Sequence, residues 1–169
     1  MSEQNISANF SASYWLAGYL KKEIGAFRLK QITQVNLMKT ITNFPYKVQV
    51  LEHVLIPLSD GIRLAAKIWL PESAKKNPVP AILEYIPYRK RDFEAKGDSI
   101  THGYFAGYGY ACVRVDLRGA GESEGILEDE YLHQEQADGL EVLTWIASQP
   151  WCNGSIGMMG ISWGGFNSL

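Results

Sequence analysis

Cysteine is scarce in this 169-residue chain, with only Cys112 and Cys152 present. Two cysteines cannot build the framework of a small disulfide-rich domain, and they lack the paired short spacing of a structural zinc site, so both read as reduced thiols. An excess of one charge is missing too. Sixteen Lys and Arg against eighteen Asp and Glu leave a formal net charge of −2, without the basic footprint that nucleic-acid binding requires. No apolar run is long enough to span a bilayer, and the amino terminus lacks a basic region followed by an apolar run and a cleavage site; no membrane association is expected, and the expected location is cytoplasmic. Internal repeats and low-complexity segments are absent as well. What is present, 46% hydrophobic and 12% aromatic residues, suffices for one well-filled core.

Residues 1–40 differ from the remainder: Ser, Asn and Gln are frequent, and Phe10, Tyr14, Trp15, Leu16, Tyr19, Leu20, Ile24 and Phe27 recur at roughly helical spacing among Lys21, Lys22 and Arg28. The segment reads as an amino-terminal extension, poorly structured or a short amphipathic helix. A loosely docked extension, a surface that touches a membrane or partner, and a true start at Met38 are alternative readings. From Tyr46 the pattern changes. Lys47 to Leu58 and Ile62 to Leu70 flank Ser59-Asp60-Gly61, a hairpin signal with Asp-Gly at the turn. A third strand is expected at Ala81–Ile86, running into a polar loop with Tyr88, followed by a short helix at Ser99–Tyr108 and a fourth strand at Tyr110–Val115. A helix is expected between Glu130 and Gln149, presenting Ala137, Leu140, Leu143 and Ala147 to a sheet. A fifth strand is then expected at Ser155–Ile161. An antiparallel hairpin followed by alternating strands and helices implies an α/β fold with a mixed sheet becoming parallel, covered by helices on both faces.

The fifth strand runs into Gly160-Ile161-Ser162-Trp163-Gly164. A serine hydroxyl is a weak nucleophile unless it stands clear of the backbone near a base and near N–H donors, and a sharp strand-to-helix turn achieves this. The flanking glycines relieve the crowding where strand and helix meet. Ser162 is therefore the candidate nucleophile. The backbone N–H of Trp163, immediately after it, is one candidate donor for the oxygen that becomes negative in acyl transfer; losing such a donor typically costs about 3 kcal/mol of transition-state stabilisation. The loop after the third strand opens on the same edge of the sheet and carries Tyr88, whose hydroxyl is either a second donor or part of a packed aromatic.

Pro87-Tyr88-Arg89-Lys90, Asp116-Leu117-Arg118-Gly119 with Ser123-Glu124-Gly125, Trp145-Ile146, Trp151-Cys152-Asn153-Gly154 with Ile156-Gly157-Met158, and Gly160-Ile161-Ser162-Trp163-Gly164-Gly165-Phe166 follow one another along the chain. In this order they resemble the amino-terminal half of the X-prolyl dipeptidyl-peptidase and cocaine-esterase family of α/β-hydrolases, over about residues 48–169. The resemblance implies the amino-terminal part of such a catalytic domain at 46–169, truncated after the nucleophile elbow, with a mixed, mainly parallel sheet. It also implies that Ser162 is acylated, that the Tyr88 hydroxyl joins the Trp163 amide in the oxyanion hole, and that a small-molecule ester or a peptide is hydrolysed without metal or organic cofactor.

Asp116, Arg118 and Glu122 precede the serine, whereas this fold places the triad acid and then the histidine after it. Asp116 and Arg118 read as structural residues of the loop after strand four. His53, in the first strand, His102, in a surface helix or loop, and His133, near a helix start, read as surface or structural residues rather than general bases. Without a later acid and histidine the chain is expected to be nearly inactive alone, marginally stable, and prone to associate through an exposed sheet edge. Two readings stand: the amino-terminal portion of a serine hydrolase, or a non-enzymatic remnant acting as an interaction module. Peptidase and esterase are not separated by these residues.

Overall fold

The computed structural model describes residues 41–169; the helix expected within 1–40 lies outside them. Residues 42–169 form one compact unit. Strand β1 (Val48–Pro57) pairs antiparallel with β2 (Arg63–Pro71), from Pro57 opposite Arg63 to Val48 opposite Pro71, with a register shift between Leu51 and Val54. Their connection is the expected Asp-Gly turn. The Asp60 carboxylate accepts the Ile62 N–H at 3.0 Å, Leu58 and Ile62 close the loop, and Gly61 takes a φ of +91° that a side chain would resist.

A 3-10 turn (Glu72–Lys75), strand β3 (Val79–Ile86), helix α1 (Ala95–Gly107), strand β4 (Ala111–Asp116), helix α2 (His133–Ala147), strand β5 (Cys152–Met158) and a single helical turn, α3 (Trp163–Phe166), complete the described elements. The sheet order is β1-β2-β4-β3-β5. β2 pairs antiparallel with β4, while β4, β3 and β5 run parallel, giving the expected mixed sheet.

Alternation along the central strands separates two buried layers. Ala81, Leu83 and Tyr85 of β3, with Ala111, Val113 and Val115 of β4, join Val142 and Ile146 of α2 in the main core. Cys112 of β4 joins Trp69 of β2 and Ala106 of α1 in a smaller cluster. Burial pushes the Cys112 thiol up to about 12, which removes it from thiolate chemistry at neutral pH.

The layer facing α1 also holds charge. Arg114, fully buried, donates from Nε to Asp98 of α1 at 3.1 Å and lies 3.7 Å from Glu84 of β3; Glu84 in turn contacts His102 Nε2 at 2.9 Å. His102 was expected at the surface but has no exposed area, because Glu84 and the Trp69 ring, 4.8 Å away, enclose it. Burial raises the Asp98 carboxyl above its ordinary range, opposed by the Arg114 and His102 charges.

The face of α2 also differs from expectation. Glu135, Asp138, Gly139, Val142 and Ile146 are buried, whereas Ala137 and Ala147 are exposed and Leu140 is 65% exposed. The helix is turned so that two carboxylates point inward to partners distant in sequence. Strand β5 begins and ends three residues earlier than expected, since the final backbone bond to β3 is made by the Met159 N–H to Leu83 at 3.0 Å and the chain then leaves the sheet. Ile146→Ala is expected to cost about 2–5 kcal/mol, whereas Leu140→Ala stays within about 0.5 kcal/mol, as measured by urea unfolding.

Candidate active site

Beyond Met159 the chain turns sharply through Gly160 and Ile161 into Ser162, whose backbone takes φ 56° and ψ −118°. This is a sparsely populated conformation for a residue with a side chain. Backbone hydrogen bonds of the turn sustain it: Gly165 and Phe166 N–H groups donate to the Ser162 carbonyl at 2.9 and 3.2 Å, and Gly164 N–H to Ile161 at 3.1 Å. Close approach makes both flanking glycines necessary. A Cβ at position 160 would stand 2.4 Å from the Gly164 carbonyl carbon, and one at 164 would stand 2.5 Å from Ile86 Cγ2 at the end of β3. Asn167 completes the seat by donating from Nδ2 to the Tyr85 carbonyl at 3.0 Å.

Ser162 is exposed. The backbone N–H of Trp163 has no hydrogen-bond partner among the described residues, as befits the first turn of a helix. The Trp163 side chain is held firmly. Its Nε1–H donates to Glu135 Oε1 at 2.5 Å, and its ring packs on Tyr131 with centroids 5.1 Å apart.

Tyr88 lies half-buried in the loop after β3. Because β3 and β5 are parallel neighbours, this loop and the Ser162 turn open at the same edge of the sheet. No hydrogen bond joins Tyr88, Ser162 and the Trp163 amide to one another among the described residues. Burial, and then the nearby Glu130 charge, raise the Tyr131 phenol above its ordinary value.

The loop that carries Tyr88 is clamped two residues later. Lys90 N–H donates to Asp116 Oδ1 at 2.8 Å, and Glu122 N–H to Asp116 Oδ2 at 3.3 Å. Lys90 itself is buried, and its ammonium pairs with Glu122. Burial is the main cause that raises the Asp116 carboxyl, against these two N–H groups and the nearby Arg114 and Lys90 charges. Arg118 does not pair with Asp116. It grips Asp138 of α2 in bidentate fashion at 2.7 and 2.8 Å and reaches Asp60 of the hairpin turn at 2.8 Å. Both residues thus fix the loop after β4, as expected.

Among the described residues no histidine hydrogen-bonds to Ser162. His53 sits 3.4 Å from Lys90 Nζ and 3.6 Å from Glu122, His102 is enclosed beside Glu84, and His133 is exposed at the start of α2. Glu84, Asp98 and His102 converge closely enough to suggest metal ligands, but Arg114 already supplies the positive charge between the two carboxylates. A cleft of about 400 Å³ opens beside Glu135, with Leu117, Arg118, Ile126 and Leu132 among its walls; Ser162 does not line it. Glu135 and Tyr131 were not singled out from the sequence. An acidic residue in a first helical turn ordinarily signals only a helix start.

A sequence model of the X-Pro dipeptidyl-peptidase (S15) family matches residues 60–169. The chain belongs to this hydrolase family. Cocaine esterase of Rhodococcus sp. (strain MB1 Bresler) is 38% identical over 115 residues, covering 68% of this chain and 19% of that protein. The chain therefore spans about a fifth of the length of this curated relative. A CocE/NonD family hydrolase from Staphylococcus aureus superposes with a TM-score of 0.61 at 22% identity, over 79% of this chain and 30% of that one. An alpha-amino acid ester hydrolase gives a TM-score of 0.54 at 25% identity, over 80% and 24% of the two chains. These likenesses establish the α/β-hydrolase fold.

Strain at Ser162 has a measurable counterpart. Ser162→Gly is expected to raise stability by about 1 kcal/mol, because glycine adopts this backbone conformation without steric cost, less what its freer unfolded state gives back. Thermal or urea unfolding of the two chains compares them directly.

Proposed function

We propose that this chain carries the nucleophile and the oxyanion donors of a serine hydrolase that cleaves an ester or amide bond through an acyl-enzyme. The observation behind this reading is the strained Ser162 backbone between two glycines whose side-chain space is occupied, with the Trp163 amide at the start of a helix unpartnered among the described residues.

Ser162 Oγ attacks the substrate carbonyl carbon, and its proton passes to a general base. The carbonyl oxygen gains negative charge, which the Trp163 N–H and the Tyr88 hydroxyl stabilise by donating to it. Collapse expels the alcohol or amine, and water then releases the acyl group by the reverse sequence. None of His53, His102 and His133 hydrogen-bonds to Ser162 among the described residues, so the 169-residue chain by itself retains only the slow reaction that donors and binding support. The relatives named as cocaine esterase and amino acid ester hydrolase favour an ester, and the family description favours a peptide bond after proline; these residues serve either substrate.

A fluorophosphonate probe tests this reading. Labelling of the chain is expected to be slow, to disappear in Ser162→Ala, and to fall by about 10²–10³ in rate in Tyr88→Phe, the usual loss for one oxyanion donor. Rapid stoichiometric labelling would overturn the inactivity of the isolated chain, and labelling that survives Ser162→Ala would overturn the nucleophile.

The non-enzymatic alternative draws on one feature. Among the described residues β5 pairs with β3 alone, and its Asn153, Gly154, Ser155 and Gly157 are exposed. An unpaired edge of this kind accepts another strand, so sedimentation velocity is expected to reveal concentration-dependent association; a monomer at all concentrations would remove this reading.

A further inference from the structure

We propose that Glu135 is a positioning residue that aims the Trp163 backbone amide, an inference that rests on reading that amide as an oxyanion donor. Glu135 is 6% exposed, yet no Lys, Arg or His pairs with its carboxylate among the described residues. Its charge is met by N–H groups instead. Oε1 accepts the Trp163 indole N–H at 2.5 Å, and Oε2 accepts the Tyr131 backbone N–H at 3.0 Å. The Glu135 carbonyl also accepts the Tyr85 hydroxyl at 3.2 Å. Standing in the first turn of the 15-residue helix α2, the carboxylate further gains from the positive end of the helix dipole.

Glu135 thus joins three segments: its carboxylate links the start of α2 to the turn that carries the nucleophile, and its backbone carbonyl ties both to β3. The joint includes Tyr131, which occupies a left-handed backbone conformation (φ 60°) and lays its ring against both Trp163 and Phe166, with centroids 5.1 and 4.9 Å away. The Trp163 side chain is consequently fixed at its edge by Glu135 and on its face by Tyr131.

This fixation matters because the peptide unit between Ser162 and Trp163 holds the donor. Its orientation depends on Ser162 ψ and Trp163 φ, and Ser162 is already strained. Relaxation of that strain would rotate the N–H away from the developing oxyanion. An indole held at two points resists the rotation, because the ring and the amide share the Trp163 Cα. Glu135 touches neither substrate nor reacting atoms and acts through Trp163.

The test uses the full chain with ¹⁵N-labelled backbone and tryptophan, comparing Glu135→Ala with Glu135→Gln, which keeps an acceptor oxygen in place. In the parent chain the Trp163 indole N–H is expected downfield of exposed indoles and slow to exchange. In Glu135→Ala its exchange rises by at least about tenfold, the scale of a lost hydrogen bond to a charged group, and the Trp163 and Gly164 backbone amide signals move. Glu135→Gln is expected to restore both signals. Fluorophosphonate labelling of Ser162 should slow by about tenfold in Glu135→Ala and stay within about threefold of the parent in Glu135→Gln.

Backbone amide signals at 163 and 164 that stay in place in Glu135→Ala would overturn the proposal, as would signals that move while labelling is unchanged. Should Glu135→Ala fail to fold, Trp163→Phe removes the indole donor while keeping an aromatic ring against Tyr131 and is expected to shift the Gly164 amide in the same way; an unmoved Gly164 signal would be equally fatal. A parent chain that is unlabelled, or labelled equally after Ser162→Ala, would refute the serine reading itself, while the amide signals still decide whether Glu135 orients the turn.

Discussion

The closeness with which β5 and α3 approach the end of β3 governs the rest of this structure. With Gly160 lying against the Gly164 carbonyl carbon and Gly164 against Ile86, the chain has no room to reverse gradually, and Ser162 must take the turn alone. The conformation of that one residue is therefore imposed from outside, by packed strand and helix backbones. Hydrogen bonds from Gly165, Phe166 and Asn167 hold the arrangement, and each uses backbone that a looser turn would leave to water. Conformational strain at a single serine is stable only where its neighbours leave no cheaper path.

The sheet beneath is divided by chemistry as well as by shape. One face of β3 and β4 is a conventional apolar core against α2; the other supports Glu84, Arg114, Asp98 and His102 against α1. Burying four ionisable groups is costly unless they satisfy each other, and removing one partner of such a set commonly costs about 3–5 kcal/mol. The set ties α1 to the two central strands more specifically than apolar contacts would. Asp116, at the end of the same row, turns the charge toward the loops above the sheet.

Much of this was legible in the residues. Asp60-Gly61 announced the hairpin, strands β2 to β4 fall within two residues of expectation at each end, and Ser162 stands where a strand-turn-helix pattern places it. The misreadings share a cause. Leu140 looked like a core residue because periodicity counts apolar side chains, whereas the buried positions of α2 include Glu135 and Asp138, held inward by Trp163 and Arg118. His102 looked exposed because nothing near it in sequence reveals Glu84 or Trp69. Strand β5 was expected to run on to Ile161, whereas its last bond to β3 is made by the Met159 N–H to Leu83 and the chain leaves the sheet there. In each instance the deciding partner lies many residues away, and local pattern carries no record of it.

Asp116 receives one backbone N–H on each carboxylate oxygen, from Lys90 and from Glu122. The loop after β3 is thereby pinned at its fourth residue, Lys90, to the neighbouring strand, and the segment beyond, where Phe93 is 78% exposed, is tied instead by the exposed side chain of Arg91, which reaches Glu122 at 2.9 Å. The loop is mechanically two pieces. Its root, with Tyr88, is set by a buried carboxylate of the sheet, whereas its tip leans on an ion pair at the surface, so a disturbance of the tip is absorbed there before it reaches that hydroxyl.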